Sequence, residues 1–137
     1  MIVADTGAIV ALLDRDEVNH RVLARLYGDT GSDWVIPAAV LPEVDYLLAT
    51  KVGEKVRRAF LEDIAGGAFA IIWNTDADLR RAVEIDNAYA ALRLGLVDAM
   101  VFAVAERFRA GTIATLDLKH FSGVKLRHHF RIVPRDI

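Results

Sequence analysis

A chain of 137 residues is sized for one compact domain with a substantial core, since domains most often run to about 100–150 residues. The absence of Cys excludes disulfides, thiolate zinc sites and a cysteine nucleophile, and allows a reducing compartment. A net charge of −2, from 17 basic and 19 acidic residues, excludes a uniformly basic nucleic-acid coat but not a local basic patch. Apolar residues make up 54% of the chain, yet its longest uncharged stretch, 64–75, holds Gly66, Gly67 and Asn74. It is well short of the roughly 18 apolar residues of a membrane span. No basic leader precedes Met1-Ile2-Val3 and Asp5 follows at once, so no signal peptide is expected. The apolar surplus predicts a large core or a face covered by a partner.

Short β-prone apolar runs alternate with longer helical patterns. Ile2-Val3-Ala4 predicts a first strand, and 6–13 a first helix. A second helix is expected over 18–27, ended by Gly28. Trp34-Val35-Ile36 predicts a strand stopped by Pro37. An amphipathic helix over 38–51 follows, with Pro42 near its start, where a missing N–H costs least. A helix over 54–65 stops at Gly66-Gly67, and 69–73 predicts the clearest strand. Thr75, with Asp78 three residues on, reads as the N-cap of the next helix. Leu79, Ala82, Val83 and Tyr89 are expected on its apolar face. After Gly95 a helix begins near Val97-Asp98, and its uncharged stretch Ala99 to Ala105 predicts burial on most sides. Residues 112–115 predict a fourth strand and 130–133 an edge strand closed by Pro134. The strands should be buried and parallel. Strand–helix alternation of this spacing predicts an α/β fold with helices on both faces of a parallel sheet. Ligands in such sheets bind beyond the carboxyl ends of the strands.

Four carboxylates fall on that rim. Asp5 directly follows the first strand and Asp117 follows the fourth. Asp98 heads the most buried helix, and Glu43 lies in the first turns of the 38–51 helix. Singly, each has a structural explanation as a helix-terminal, turn or solvated acid. Together they repel one another and lose hydration, which a cation relieves. All-oxygen donors select hard cations, Mg²⁺ or Mn²⁺. The chemistry this implies is metal-assisted phosphodiester hydrolysis.

Competing chemistries lack their residues. There is no Walker A loop, no Gly-x-Ser-x-Gly elbow and no Gly-x-Gly-x-x-Gly loop. A phosphoaspartyl hydrolase would want Asp where Gly7 stands, and a receiver domain an acidic pair where Asp5 is alone. His20, His120, His128 and His129 show no His-x-x-x-His spacing, which argues against zinc ligation. His128-His129 read as surface residues of a basic turn.

Four segments, Ile-Val-Ala-Asp-Thr-Gly at 2–7, Leu-Pro-Glu-Val-Asp-Tyr-Leu-Leu at 41–48, Gly-Leu-Val-Asp-Ala at 95–99 and Thr-Leu-Asp-Leu-Lys-His-Phe at 115–121, together resemble a PIN domain. More closely, the chain resembles the VapC toxins of bacterial toxin–antitoxin pairs, from Met1 to about Pro134. The resemblance implies a single three-layer α/β/α domain over 1–137 around a central parallel sheet of about five strands. It implies a cytoplasmic, Mg²⁺- or Mn²⁺-dependent endoribonuclease that cleaves a structured transfer or ribosomal RNA loop and inhibits translation. It also implies a VapB-type antitoxin, a homodimer, and a heterotetramer or larger assembly with that antitoxin.

Carried over by position, Asp5, Glu43, Asp98 and Asp117 resemble the family's catalytic acids, with Asp5, Asp98 and Asp117 as metal ligands. Thr6 and Thr115 resemble the hydroxyls that support them. Asp45, two residues past Glu43, should point elsewhere on the helix. Among the cations, Lys119, His120 and Arg127 are the expected RNA contacts because they follow Asp117 in sequence. Lys51, Lys55, Arg57, Arg58, Arg80, Arg81 and Arg93 read mainly as solvated charges. The alternatives are a non-catalytic antitoxin- or RNA-binding module and a DNA-directed nuclease using the same acids.

Overall fold

The computed structural model describes all 137 residues. β1 (Ile2–Ala4) is three apolar residues, all buried. Burial on both faces suits a central strand of a parallel sheet. α1 (Thr6–Leu13) follows without a loop, and α2 (His20–Thr30) leads to β2 (Trp34–Pro37). A single 3₁₀ turn at Ala38–Val40 precedes α3 (Leu41–Leu47), with Pro42 in its first turn. A π-type turn at Leu48–Val52 and Gly53 join it to α4 (Glu54–Ala65). β3 (Ala70–Ile72), α5 (Asp76–Ala88), α6 (Leu96–Arg107) and β4 (Thr112–Ala114) come next. A one-turn α7 (Leu118–Phe121) and β5 (Arg131–Val133) complete the chain. No helix is long and apolar enough to cross a membrane.

All four strand pairings are parallel, in the order β3-β2-β1-β4-β5. From β1 the chain steps outward through β2 to β3, then returns past β1 to β4 and on to β5. Right-handed crossovers therefore put α1–α4 on one face and the later helices on the other. Packing agrees, with α1 against α2 and α3, and α5 against α6. The direction of winding reverses between β1 and β4. In sheets of this kind, sites lie at such a reversal, beyond the carboxyl ends of the strands.

The core is aliphatic near the sheet and aromatic at its margins. Phe102 stacks on Phe121 at 4.5 Å, which anchors α7 to α6. Phe69 packs against both Tyr27 and Phe60 at 5.7 Å. α6 is buried along Ala99 and Val101–Ala105, as its uncharged run predicts. Ala82, Ala99 and Ala103 form a small-residue seam where α5 approaches α6 closely.

The structure corrects several boundaries. α2 begins at His20 and runs through Gly28, whose missing side chain leaves open space. It ends at Thr30, where the hydroxyl donates back to the Leu26 carbonyl at 2.7 Å. The expected 38–51 helix is three kinds of turn in succession, because Pro42 starts a regular helix only at Leu41 and Gly53, at φ +142°, ends it. β3 is shorter than 69–73 and is not buried, since it forms the outer edge of the sheet and leaves Trp73 73% exposed. On α5, Leu79 and Val83 are exposed, and the buried residues are Asp78, Ala82 and Ile85. Asp78 lies inside because Thr75 and Arg107 satisfy its carboxylate. α7 lies in a segment read from the sequence only as residues after Asp117.

Candidate active site

The rim between β1 and β4 is built by the residues that end those strands. The Asp5 N–H donates to the Ala114 carbonyl at 2.9 Å, and the Thr115 N–H to the Val133 carbonyl at 3.0 Å. The sheet ladder thus continues one residue beyond each strand. Asp5 and Thr115 are fixed side by side by backbone geometry, and both are buried.

Thr115 links two of the acids. Its hydroxyl donates to Asp5 Oδ2 at 2.8 Å and accepts the Asp117 N–H at 3.0 Å. Asp117 then caps α7, its Oδ1 accepting the His120 N–H at 3.1 Å. Asp98 arrives from the other direction. Gly95, at φ +84°, takes the left-handed turn that opens α6, and this sets Asp98 in the first helical turn. Glu43 sits in the first turn of α3, exposed and without an ion pair.

Electrostatics set Asp5 and Asp98 apart from ordinary surface carboxylates. Burial pushes the Asp5 carboxyl up to about 6. The Thr115 hydroxyl and Thr6 N–H work against that shift, and repulsion from Asp98 and Glu43 adds to it. Asp98 is also raised, first by burial, with His120 opposing and Asp117 and Glu43 reinforcing. The Thr6 hydroxyl is buried without a hydrogen-bond partner. A buried acid at a strand end, facing further acids of the same sign, is poorly stable by itself. A divalent cation would neutralise it, and the carboxylate donors fit a hard ion.

One neighbour is not an acid. His120 Nδ1 lies 2.8 Å from Asp98 Oδ2 and 2.8 Å from Asp117 Oδ2. Ligand atoms of Asp98, Asp117 and His120 all lie within 4.8 Å of one another. Sequence reasoning placed His120 with the RNA-contacting cations and found no metal-type spacing among the histidines. Such spacing describes two ligands on one helix. Here the group is assembled from α6, the end of β4 and α7.

The other expected RNA contacts diverge. Lys119 is exposed on α7, next to the acids in sequence. Arg127 is carried to the opposite end of α6, where its N–H donates to Glu106 Oε2 at 3.0 Å. Asp45 binds Arg57 at 2.8 Å, and Arg57 also holds Glu54. Arg57 is therefore committed to intramolecular pairs. His128 is not a free surface residue, because its Nε2 meets the Ala110 carbonyl at 2.7 Å.

Comparison with known proteins agrees with this geometry. The PIN domain family profile matches residues 2–125. The chain is 34% identical over 124 residues to ribonuclease VapC26 of Mycobacterium tuberculosis, covering 90% of this chain and 92% of that protein. Its fold is similar to that of VapC20 of Mycobacterium tuberculosis, a sarcin–ricin loop cleaving toxin, with a TM-score of 0.75 at 21% identity. That match covers 82% of this chain and 87% of VapC20. It is also similar to VapBC2 of Rickettsia felis, solved bound to a DNA fragment from their promoter, with a TM-score of 0.69 at 18% identity. That match covers 96% of this chain and 98% of the other. The two structures speak to fold, and the sequence relative to family. The family profile and the sequence relative show that the chain belongs to the PIN domain family, among its VapC ribonucleases.

Proposed function

We propose that this single-domain protein is the endoribonuclease toxin of a bacterial toxin–antitoxin pair, acting in the cytoplasm to block translation by cleaving a structured RNA loop. The observation that carries the reading is the joining of Asp5, Thr115 and Asp117 into one hydrogen-bonded unit at the switch point, with Asp98 and Glu43 coupled to it electrostatically. A transfer or ribosomal RNA loop fits as substrate, because splayed bases at loops are where proteins read RNA sequence. VapC20, of similar fold, is described as cleaving such a loop.

Asp5, Asp98 and Asp117 would hold Mg²⁺ or Mn²⁺. When bound, that ion supplies Lewis acidity toward the scissile phosphate and lowers the pKa of a water. Thr115 holds the Asp5 carboxylate and the Asp117 backbone in place, and the Thr6 N–H, rather than its hydroxyl, supports Asp5. Glu43, exposed and unpaired, is free to take the proton of the attacking water. Lys119, beside the rim, would contact RNA phosphate.

The partner we assign is a VapB-type antitoxin. VapBC2, which shares the fold, is a two-component assembly on promoter DNA. In this chain Val18 is 89% and Tyr46 66% exposed, beside α2 and on α3. These apolar side chains suit a partner segment, with the toxin as a homodimer within a heterotetramer or larger complex.

The test is cleavage of total bacterial RNA with Mg²⁺ or Mn²⁺, with EDTA, and with Asp98→Ala. A discrete fragment that needs metal and disappears in the variant supports the reading, and end-mapping then gives the target. Equal cleavage by Asp98→Ala and wild type overturns the site assignment.

A further inference from the structure

We propose that His120 is itself a ligand of the metal centre, supplying one nitrogen beside the Asp98 and Asp117 oxygens, so that the site prefers Mn²⁺ and later transition ions to Mg²⁺. The inference rests on the metal-dependent reading of the site above. It concerns a residue that would otherwise be placed with the RNA-binding cations.

Three observations carry it. The first is distance. One ring nitrogen, Nδ1, lies 2.8 Å from a carboxylate oxygen of each acid. Adjacent ligand atoms on an octahedral ion, each about 2.1 Å from the metal, are separated by about 3 Å. The two His120 contacts are thus already at the spacing of neighbouring ligands on one ion. A single N–H cannot donate well to both oxygens at once, so hydrogen bonding alone leaves one of the contacts weak.

The second is rigidity. The backbone that carries the ring is held at His120 and at the residue after it. The His120 N–H is bound to Asp117 Oδ1 at 3.1 Å, and the next residue, Phe121, is fully buried and stacked on Phe102. A residue meant to follow a mobile phosphate backbone would not have its own backbone fixed this way. Lys119, one residue earlier, is exposed and meets that need.

The third is isolation from the other histidines. His20 Nδ1 is engaged by the Ala11 carbonyl and His128 Nε2 by the Ala110 carbonyl. His120 is the one imidazole set among the acids. An imidazole donor suits transition ions, whereas Mg²⁺ takes oxygen.

The test uses the purified full chain loaded with Mn²⁺ at neutral pH. Pulsed electron paramagnetic resonance should show ¹⁴N coupling to bound Mn²⁺, and the coupling should vanish in His120→Gln. Calorimetry should show wild type binding Mn²⁺ about tenfold or more tighter than Mg²⁺, with His120→Gln losing most of that preference. Mn²⁺ bound to wild type without ¹⁴N coupling would overturn the inference, whatever the variant does. Metal-dependent, Asp98-dependent RNA cleavage without ¹⁴N coupling would refute His120 as ligand and leave the nuclease reading standing. Coupling without RNA cleavage would support the ligand and count against the nuclease. Failure to bind Mn²⁺ at all would sink both.

Discussion

The hydroxyl of Thr115 donates to the carboxylate of Asp5 at 2.8 Å, across 110 positions of sequence. This bond joins the two strand ends between which the sheet reverses its winding. Because the same oxygen accepts the Asp117 N–H, one buried hydroxyl holds the Asp5 carboxylate and the Asp117 backbone, from different parts of the chain.

Thr115→Val keeps the shape of the side chain and removes both bonds. It leaves the Asp117 N–H unpaired and the Asp5 carboxylate with only the Thr6 N–H, which should cost about 1–3 kcal/mol of stability. Loss of a supporting hydrogen bond should also weaken Mn²⁺ binding about 10–100-fold. Thr115→Ser should restore both properties. Thermal melts and metal calorimetry on the two variants check this. Unchanged metal affinity in Thr115→Val would remove the orienting role.

The raised acid at position 5 gives the metal-free protein a specific pH dependence. An unfolded Asp ionises near 3.8, whereas the folded Asp5 ionises near 6. Between those values the folded chain holds a proton that the unfolded chain has released. The Asp5 contribution therefore favours folding below about pH 4 and is lost as pH rises through 6. Its full size is on the order of 3 kcal/mol. Asp5→Asn, which cannot ionise, should flatten this part of the stability curve and melt higher than wild type at neutral pH without metal. It should also fail to cleave RNA. Mn²⁺ should stabilise wild type more at neutral pH than at pH 5, since the ligands must be deprotonated. A melting profile of Asp5→Asn parallel to wild type would contradict the burial argument.

The elements most legible in the sequence are those whose signals are local. α1 and α4 have the expected limits, and Thr75 caps α5 as its pairing with Asp78 predicts. Asp5 and Asp117 are legible as strand-end acids because each directly follows a β-prone run. What was not legible depended on neighbours far away in the chain. β3 reads like a buried strand, but its edge position leaves it half-exposed. Leu79 and Val83 fit a helical stripe, yet the buried Asp78 carboxylate, held by Thr75 and by the more exposed Arg107, lies on the inward face of α5. Arg127 follows Asp117 in sequence and lies at the far end of α6. His120 could not be assigned to the acids by histidine spacing, since the group joins it to Asp117 at the start of α7 and to Asp98 on α6.

The capping box on α5 offers a calibrated local test. The Thr75 hydroxyl accepts the Asp78 N–H at 3.1 Å, and Asp78 Oδ2 accepts the Thr75 N–H at 3.0 Å. Thr75→Ala should cost about 1 kcal/mol. Asp78→Ala should cost more, because it removes the other half of the capping box and the ion pair with Arg107 as well. Denaturant titration of both variants orders the two effects, and equal losses would show that the Arg107 pair adds nothing.

Glu106 makes the strongest case for a purely structural charge. Its side chain is 8% exposed and accepts from Arg81 Nε at 2.6 Å, Arg81 Nη2 at 3.2 Å and the Arg127 N–H at 3.0 Å. Burial works to raise its carboxyl, but the Arg81 guanidinium and the Arg127 N–H outweigh that and hold it below the usual range. Arg81→Ala removes two charge-assisted bonds to this carboxylate and leaves Arg127, 3.9 Å from Oε1, as its remaining cation, a loss of about 1.5–3 kcal/mol. Arg81→Ala together with Glu106→Gln should recover part of it, because no uncompensated charge remains. Along α6, Glu106 is eight residues from Asp98, about 12 Å at 1.5 Å per residue. RNA cleavage per folded molecule, measured well below the melting temperature, should therefore equal wild type in both variants. A fall in cleavage without a fall in folded fraction would show that this end of α6 belongs to the RNA-binding surface rather than to the scaffold.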